Sequence, residues 1–426
     1  MSFTSWGGLP DSGQETHHID WPDQVDSRYP QRGLFVGNGR SYGDVGLAES
    51  GTVTSCVGLD RVLGFDISTG VLRCEAGLTL GEILALVLPR GWCLPVMPGT
   101  QFVTVAGAIA NDVHGKNHHQ QGSFGRHTRG FTLCRSTGER QWCSPQQNPE
   151  LYEFTIGGLG LTGLILDVEL QLIPVSGTEM EVENLKFRGI SEFLDLCQES
   201  DSSYEYTVAW IDCLHRELRG HFSRGNHAAS DASGSFQGSL FDVPFAPPFS
   251  PVNRFTLGMF NSIYYHRQRS RKRSFRQGLQ GFLFPLDRVG NWNRLYGSRG
   301  FRQYQCVVQE DAVEDLLNVI RRSGQGSFLA VLKMFGETPS PGRLSFPRPG
   351  VTLALDFPWR GARTVELFDE LDRVVRASNG AIYPAKDAHM SAADFQRAYP
   401  AWERLEQLRD PALNSLFWQR VSGEVE

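Results

Sequence analysis

Short apolar segments separated by glycine-rich turns characterise the first 175 residues of the chain. Four of these segments predict strands, at 32–36, 52–57, 64–67 and 71–76. Thr79 and Glu82 form a capping-box pattern, which predicts a helix that continues to Leu88 and ends at Pro89 and Gly91. This succession of strands and a helix indicates an α+β domain.

A second unit is predicted to follow the strand at 166–172, whose polar and apolar residues alternate with period two. Later strands are rich in aromatic and β-branched residues, at 206–212, 220–222 and 351–357. A helix is predicted over 364–377, since Asn379-Gly380 is a C-cap signal, and the tail from 390 to 421 is amphipathic and helical. Ser, Ala, Gly and Pro dominate 224–249, which predicts a flexible loop.

Composition narrows the class of protein. A chain of 426 residues, 40% apolar and 21% charged, can form two globular domains. Its net charge of −6 gives no general attraction to nucleic acid, so an anion site would have to be local. Because no 18-residue apolar run and no Sec-type start occur, we expect a cytoplasmic protein. Eight scattered cysteines without a C-x-x-C pair predict reduced structural thiols and no metal site.

Two stretches of small residues are candidates for anion binding. Residues 37–44 follow the first predicted strand, and residues 98–131 contain six glycines. Backbone N–H groups in such loops can approach an anion closely, and a diphosphate is the obvious candidate. Neither stretch has the spacing of a P-loop or of a Rossmann unit, so each loop alone is equally compatible with ordinary turns.

Specific motifs in these loops resemble those of a known family. They are Gly39-Arg40-Ser41-Tyr42-Gly43-Asp44, Pro98-Gly99-Thr100, His114-Gly115-Lys116-Asn117-His118-His119 and Gly122-Ser123-Phe124-Gly125. They resemble the FAD-binding half of flavin-dependent oxidoreductases of the vanillyl-alcohol oxidase type. Within that group the chain most resembles the decaprenylphosphoryl-β-D-ribose 2′-oxidases, enzymes of bacterial arabinan-precursor synthesis for the cell wall, and the resemblance extends over most of its length.

The resemblance implies a two-domain α+β fold with FAD as cofactor. The FAD-binding domain would comprise 1–175, completed by 381–426, and a substrate-binding domain with a large antiparallel sheet would comprise 176–380. The implied cofactor contacts are Gly37, Asn38, Gly39, Arg40, Ser41, Tyr42, Gly43, Pro98, Gly99, Thr100, Val103, Thr104, Gly107, Ala108, Asn111, His114, Gly115, Asn117, Ser123, Phe124, Gly125, Gly163, Ile165 and Tyr383. Relatives that bind FAD covalently have a histidine where this chain has Arg40, so we expect noncovalent FAD.

Four residues are the catalytic candidates. Oxidation of a carbinol needs a hydride acceptor, a group that takes the hydroxyl proton, and stabilisation of the reduced flavin. For the proton we predict Lys386, because a desolvated lysine beside Tyr383 can have a pKa near neutrality. The residues alone suit an exposed lysine after a strand, and it is the resemblance of Tyr383-Pro384-Ala385-Lys386-Asp387 to the family motif that implies the catalytic role. Tyr42 and Tyr383 are second choices. His114, with Lys116, is predicted to stabilise the reduced flavin, although three histidines in six residues also suit a polar surface loop.

The substrate-binding candidates are Lys116, Trp210, Gln303, Gln305 and Lys333. The two glutamines point to one face of a predicted strand, so their amides can bond sugar hydroxyls, unless that face is simply exposed. Lys333 has apolar neighbours, which suits either a snorkelling surface lysine or a buried charge awaiting a phosphate. Thr352 and Ala354 stand where the family has asparagine and cysteine, which leaves the substrate's identity open.

The expected reaction is the oxidation of a secondary hydroxyl to a ketone on a polyprenyl-phosphate-linked pentose, with a short-chain reductase as partner for a second epimerisation step. A soluble alditol or sugar-lactone oxidase and a flavin-binding subunit without catalysis are the alternatives. Residues 267–276 carry six positive charges in ten positions, which usually marks a solvated face. Such a run would also attract anionic lipid headgroups, as in a protein peripheral to the inner membrane.

Overall fold

The computed structural model describes residues 3–9, 13–49, 51–230, 239, 241–248 and 250–423. Within these residues the chain forms twenty strands and thirteen α-helices. The strands are β1 (Glu15–His18), β2 (Gly33–Val36), β3 (Thr52–Ser55), β4 (Val62–Asp66), β5 (Val71–Glu75), β6 (Trp92–Cys93), β7 (Thr128–Cys134), β8 (Arg140–Cys143), β9 (Leu164–Gln171), β10 (Ile173–Pro174), β11 (Glu179–Arg188), β12 (Tyr206–Ile211), β13 (Arg219–Ala228), β14 (Phe241–Asp242), β15 (Lys272–Gly278), β16 (Val289–Gly290), β17 (Phe301–Val308), β18 (Val331–Phe335), β19 (Gly350–Pro358) and β20 (Ala381–Ile382). The helices are α1 (Val25–Arg28), α2 (Leu80–Val87), α3 (Val105–Ala110), α4 (His118–Gln121), α5 (Pro149–Thr155), α6 (Gly189–Ser200), α7 (Arg254–His266), α8 (Leu279–Leu283), α9 (Val313–Ser323), α10 (Ala362–Ala377), α11 (Ala392–Ala398), α12 (Trp402–Leu408) and α13 (Leu416–Ser422).

The amino-terminal part of the chain forms two larger sheets and the two-stranded antiparallel pair of β6 and β10. Strands β1, β3 and β2 pair in parallel, and a five-stranded antiparallel sheet has the order β4-β5-β9-β7-β8. Helix α2 buries Ile83 and Leu84 in the same core as Phe131 and Val168 of the larger sheet. Its capping box is confirmed, since Thr79 Oγ1 accepts from the Glu82 amide and the Glu82 carboxylate accepts from the Thr79 amide.

An eight-stranded antiparallel sheet follows, with the order β15-β11-β13-β12-β18-β19-β17-β20. Strand β19 shows how its two faces differ, because successive side chains of a strand point to opposite sides. Val351, Leu353 and Leu355 pack in the core shared with helices α9 and α10. Residues at alternate positions, Thr352, Ala354 and Asp356, line a large cavity instead. The predicted α+β fold with a large antiparallel sheet is confirmed, while the exact domain boundaries stay a prediction.

The carboxyl-terminal segment returns to the amino-terminal strands. Leu413 bridges to Gly33 of β2, and the Leu416 amide donates to the Leu47 carbonyl over 2.8 Å. The helical tail predicted from 390 to 421 is three helices, α11 to α13, rather than one. Proline explains the interruptions, because Pro400 and Pro411 follow the ends of α11 and α12 and cannot donate a helical hydrogen bond.

The loop predicted over 224–249 needs correction at its start. Strand β13 continues to Ala228, because residues 225–228 pair in register with 179–182 of β11. Residues 231–238, 240 and 249 of the predicted loop lie outside the described residues. All eight cysteines are buried and unpaired, as the sequence predicts. Among the described residues, no helix is both long enough and apolar enough to cross a lipid bilayer.

Candidate functional site

One cavity of about 940 Å³ is lined by both glycine loops and by the large sheet. Residues 37–43 and 98–100 line it together with Gln303 and Gln305 of β17 and with Lys386, which follows β20. The cavity then extends past Trp210, Phe260 and Phe328 towards α7. It therefore joins a polar region of small residues to an aromatic region.

The first glycine loop turns sharply out of β2. Gly39 has a φ of +61°, in the left-handed region that favours glycine. A Cβ at Gly37 would lie 2.2 Å from Thr104 Oγ1, so the loop packs closely on the start of α3. The Asn38 amide nitrogen donates to the Phe102 carbonyl over 3.0 Å and joins the two glycine loops. The two predicted loops are thus one contiguous surface.

An ion-pair network fixes the first loop against the segment that carries Lys386. Arg420 of α13 bonds the carboxylates of Asp44 and Asp387 over 2.9 and 3.0 Å. The Tyr42 amide donates to the Ala385 carbonyl over 3.0 Å. As a result, Lys386 Nζ lies 3.5 Å from the centroid of the Tyr42 ring.

The polar groups of this surface fit a dinucleotide cofactor. In the described part of the chain, the backbone N–H groups of 38–41 donate no hydrogen bond to another protein group. Three buried cavity-lining atoms also lack a partner there, namely Arg40 Nε, Asn111 Oδ1 and His114 Nδ1. Free amides and a guanidinium suit a diphosphate, and a ring N–H with an amide oxygen suits a flavin edge. Residues present in the cavity therefore have the chemistry that FAD requires.

Three buried lysines line the cavity: Lys116 of the second glycine-rich stretch, Lys333 of β18 and Lys386 after β20. Burial lowers the pKa of Lys333 to about 8. Burial, with the charge of Lys333 as a lesser cause, lowers the pKa of Lys386 and Lys116 to about 7. Asp356 is the nearby carboxylate that opposes this for Lys386. Lys116 donates to the Leu283 carbonyl over 3.1 Å, and Lys333 donates to the Gly115 carbonyl over 3.4 Å. This excess of positive charge favours an anionic ligand.

Asp356 and His114 are held by the two glutamines of β17. Gln303 donates to Asp356 over 2.6 Å, and Gln305 donates to His114 Nε2 over 3.0 Å. Burial raises the pKa of Asp356 to about 7, against the lowering effects of Gln303 and Lys386. Burial, then the charge of Lys333, keeps the pKa of His114 well below its usual value, so the ring is neutral at pH 7. With Nε2 accepting, its hydrogen is on Nδ1.

Most residues predicted for the site line this cavity. All four catalytic candidates and all five substrate-binding candidates do so. The predicted cofactor contacts in its lining are Gly37, Asn38, Gly39, Arg40, Ser41, Tyr42, Gly43, Pro98, Gly99, Thr100, Val103, Thr104, Gly107, Asn111, His114, Gly115, Gly163, Ile165 and Tyr383. Their common location is observed, whereas the individual roles stay predictions.

Five predicted cofactor contacts do not line the cavity, and the reason is structural. They are Ala108, Asn117, Ser123, Phe124 and Gly125. Ala108 and Phe124 are in the apolar core. The Asn117 amide donates to the Pro95 carbonyl over 2.7 Å, and the Gly125 amide donates to Asp112 over 2.8 Å. Buried Ser123 pairs with His114 in an isolated bridge. These residues pack or bond within the protein and stabilise the second loop without facing the cavity.

Asp356 is a site residue that the sequence reasoning did not select. The signal was present, because Asp356 has the same strand parity as Thr352 and Ala354, which were singled out. All three line the cavity. Asp287 was missed as well: its carboxylate accepts from the Gln101 amide over 2.8 Å and so fixes the second loop.

Replacing Lys333 with methionine should stabilise the fold. The pKa of Lys333 is about 8 in the folded state and 10.5 in the unfolded state, so folding disfavours the charged form. The resulting loss of stability is complete below pH 8 and absent above pH 10.5. We expect a gain of about 1 to 2 kcal/mol in the free energy of unfolding at pH 7, discounted for water in the cavity. Urea titrations at pH 7 and near pH 10 check this, since the gain should shrink at the higher pH. The matched change at exposed Lys272, paired with Glu183, should give no gain, and equal effects would contradict the argument.

Comparisons with known proteins agree with this chemistry. Residues 27–144 match a family model described as an FAD binding domain. Decaprenylphosphoryl-beta-D-ribose oxidase of Mycolicibacterium smegmatis is 37% identical over 404 residues, covering 89% of this chain and 86% of that protein. A Streptomyces coelicolor protein, described as an uncharacterized protein in the mprA 5′ region, is 31% identical over 354 residues. The match covers 95% of that protein's length. A putative D-arabinono-1,4-lactone oxidase of Neurospora crassa is 28% identical over 34% of this chain and 26% of that protein.

Proposed function

Because this chain belongs to the family of FAD-dependent oxidoreductases that includes decaprenylphosphoryl-beta-D-ribose oxidase, we propose that it oxidises a secondary hydroxyl of a polyprenyl-phosphate-linked pentose to a ketone. The observation that carries the proposal is one cavity whose lining combines the two glycine loops with Lys116, Lys333, Lys386 and the two glutamines of β17. A ketone product of this kind suits a short-chain reductase as the next enzyme.

The glycine loops would hold the cofactor. The free amides of 38–41, together with Arg40, would bind the diphosphate. Bound FAD would supply the two-electron acceptor for the hydride that leaves the carbinol carbon. Arg40 stands at the position of the tethering histidine of covalent relatives, and it cannot form that bond. We therefore propose noncovalent binding.

Lys386 would take the hydroxyl proton at Nζ. With a pKa of about 7, a substantial part of its amine is neutral at physiological pH and can accept a proton. Burial raises the pKa of Tyr42 and Tyr383 well above the usual value for tyrosine. The two tyrosines therefore remain protonated and would be poor bases, although Tyr42 can orient the lysine through its ring. This contrast favours Lys386 over the second choices.

The remaining polar side chains would orient the sugar and its anionic group. Gln303 and Gln305 retain oxygen atoms that can accept from sugar hydroxyls, while their nitrogens are used by Asp356 and His114. Lys116 and Lys333 would pair with the phosphate. The aromatic wall formed by Trp210, Phe260 and Phe328 suits the first isoprene units of a lipid tail.

Anaerobic titration tests the proposal and its alternatives. Purified protein should be yellow, with an absorbance band at ~450 nm. Because the flavin is noncovalently bound, heat or acid should release it, and its colour, into solution. A short-chain polyprenyl-phosphoryl pentose should bleach this band, and a free alditol or sugar lactone should not. Bleaching by the free sugars alone would favour the soluble oxidase, and no bleaching by either class would favour a subunit without catalysis. Colour retained in acid-precipitated protein would contradict noncovalent binding.

A further inference from the structure

Helix α7 presents three parallel ridges of side chains with a spacing of four residues. Leu257, Asn261 and Tyr265 are buried and attach the helix to the protein. Phe260 and Tyr264, on the next ridge, line the aromatic end of the cavity. The third ridge, Phe255, Met259 and Ile263, which we call the apolar stripe, points outwards. One helix therefore connects the core, the cavity and the surface.

The apolar stripe is strongly exposed for side chains of this type. Phe255, Met259 and Ile263 are 77%, 53% and 64% exposed. Phe260 at the cavity edge is 41% exposed, and Phe241 of β14 is 61% exposed. Strand β14 pairs with β16, whose Val289 packs in the same cluster as Leu257 of α7. Exposed apolar side chains grouped in this way usually mark a contact with a partner or a membrane.

Positive charge lies directly after the stripe in the chain. Arg267 and Arg269 follow α7, and Arg273 is on β15, the edge strand of the large sheet. Within the described residues these three guanidinium groups have no carboxylate within 4.0 Å, whereas Arg271, Lys272 and Arg276 of the same run each pair with a glutamate of α6 or β11. Half of the basic run is thus neutralised, and the other half is available to an external anion.

The cavity leads to this surface. Arg267 lies with its guanidinium carbon 4.5 Å from the Tyr264 ring centroid, and both residues line the cavity. Tyr264 contacts Trp210 with ring centroids 4.5 Å apart, and Phe260 contacts Phe328 at 4.9 Å. A path lined by aromatic rings therefore runs from the sugar-binding residues to the underside of the apolar stripe.

We infer that α7 is an interfacial helix, which inserts its apolar stripe into the headgroup region of an anionic bilayer while Arg267, Arg269 and Arg273 contact lipid phosphates. This arrangement would let the tail of a lipid-linked sugar remain in the membrane while its sugar enters the cavity. The delivery of a lipid-linked sugar rests on the proposed function, whereas the membrane contact itself is inferred from the surface alone. An apolar ridge bordered by unpaired arginines is the pattern of helices that lie in a membrane interface.

The charges favour a membrane over a second copy of the chain. A symmetric dimer uses the same surface on both copies, so a second copy would supply another set of unpaired arginines and not the opposite charge. An anionic bilayer supplies the opposite charge next to an apolar layer, so it complements both parts of the surface.

Vesicle co-sedimentation of the flavin-loaded full chain tests the inference. Vesicles of equal parts phosphatidylcholine and phosphatidylglycerol should bind the protein, and pure phosphatidylcholine vesicles should bind it about tenfold more weakly. A triple change of the apolar stripe, F255S/M259S/I263S, should weaken binding to the anionic vesicles by about tenfold or more. A matched control, V62S/L63S/I67S, removes three exposed apolar side chains from the β4 hairpin and should bind like the unchanged protein.

Each result has a defined meaning. No binding of the unchanged protein to anionic vesicles, or equal loss in both triple variants, would overturn the inference. The inference would also be overturned if the unchanged protein were a dimer in the absence of vesicles and the stripe variant were a monomer. Retained thermal stability and flavin bleaching in the stripe variant show that it is folded, since none of its three residues lines the cavity. If vesicles bind as expected but no lipid-linked sugar bleaches the flavin, the proposed substrate fails while the membrane contact stands.

Discussion

Replacement of Lys386 with alanine is expected to abolish the bleaching of the flavin by substrate while the protein keeps its yellow colour. The lysine belongs to the segment after β20, which packs against the first glycine loop, and its amine, with a pKa of about 7, can accept a proton near neutrality. Loss of a general base typically costs a factor of ~10²–10⁴ in rate. Stopped-flow measurement of anaerobic bleaching checks this directly, because it does not depend on how the flavin is reoxidised.

The pH dependence separates a base from a cation. A base must be unprotonated, so the bleaching rate of the unchanged protein should rise from pH 6 to pH 8, with a midpoint near the pKa of about 7. K386R keeps a positive charge that cannot be lost near neutrality. If Lys386 acts as base, K386R should be as inactive as K386A, whereas a purely electrostatic role would leave it largely active.

A matched substitution guards against general effects. Lys272 is a lysine outside the cavity lining, on the edge strand β15, and K272A should bleach at the unchanged rate. Unaltered bleaching in K386A would show that another group takes the proton. Asp356 would then be the next residue to test, since burial raises its pKa to about 7 as well.

Short motifs in the sequence predicted residues that the structure brings to one cavity, while the roles assigned to them stay predictions. The glycine loops and the segment from Tyr383 to Lys386 are each contiguous, so a motif match carries most of the local geometry with it. The strand parity of Gln303 and Gln305 was also sufficient, because alternation along β17 fixes their common face. These predictions needed no knowledge of which segments meet.

The predicted cofactor contacts that do not line the cavity are motif residues whose contacts are made within the protein. Gly125 belongs to the predicted cofactor set, yet its amide bonds Asp112, whose carboxylate also accepts from Ser340 and Ser345. Such a network joins residues more than 200 positions apart, and no local pattern reveals it. The pKa shifts likewise depend on burial by distant elements, so a sequence cannot supply them.

Helix α7 shows a different limit. Asn253 caps it, accepting from the amides of Phe255 and Thr256 over 3.0 and 3.1 Å, and that cap was a usable signal. Its apolar residues, however, occur on both the buried and the exposed ridges. Periodicity alone therefore indicates no single buried face. The exposed apolar ridge on which the membrane inference depends is visible only in the structure.

Gly43→Ala is the second change for which we expect a large effect, the loss of both stability and flavin. A Cβ at Gly43 would lie 1.5 Å from the Asp387 carbonyl oxygen and 2.4 Å from its carbon. Both atoms belong to the backbone, so no side-chain rotation can relieve the overlap. The two loops must separate, and overpacking of this kind costs about 1 to 3 kcal/mol or more.

Separation of these loops would disturb the site itself. The Tyr42 amide bonds the Ala385 carbonyl, and the Asp44 amide lies 3.3 Å from the Asp387 carbonyl oxygen that the new methyl group would displace. Tyr42 and Lys386 are carried by the same two segments, so their contact should be lost together with the cradle of free amides. We therefore expect most of the flavin to be absent from G43A after gel filtration, and a melting temperature several degrees lower.

Gly64→Ala of β4 provides the matched control, because it adds the same methyl group outside the cavity lining. Apart from its chain neighbours, no heavy atom of the described residues would lie within 4 Å of its Cβ. The ratio of flavin to protein absorbance and the melting curve should therefore match those of the unchanged protein. If G43A retained its flavin and its melting temperature as G64A is expected to do, the first glycine loop would not pack against the Lys386 segment. The placement of Lys386 beside the cofactor loops, on which the proposed chemistry depends, would then lose its structural basis.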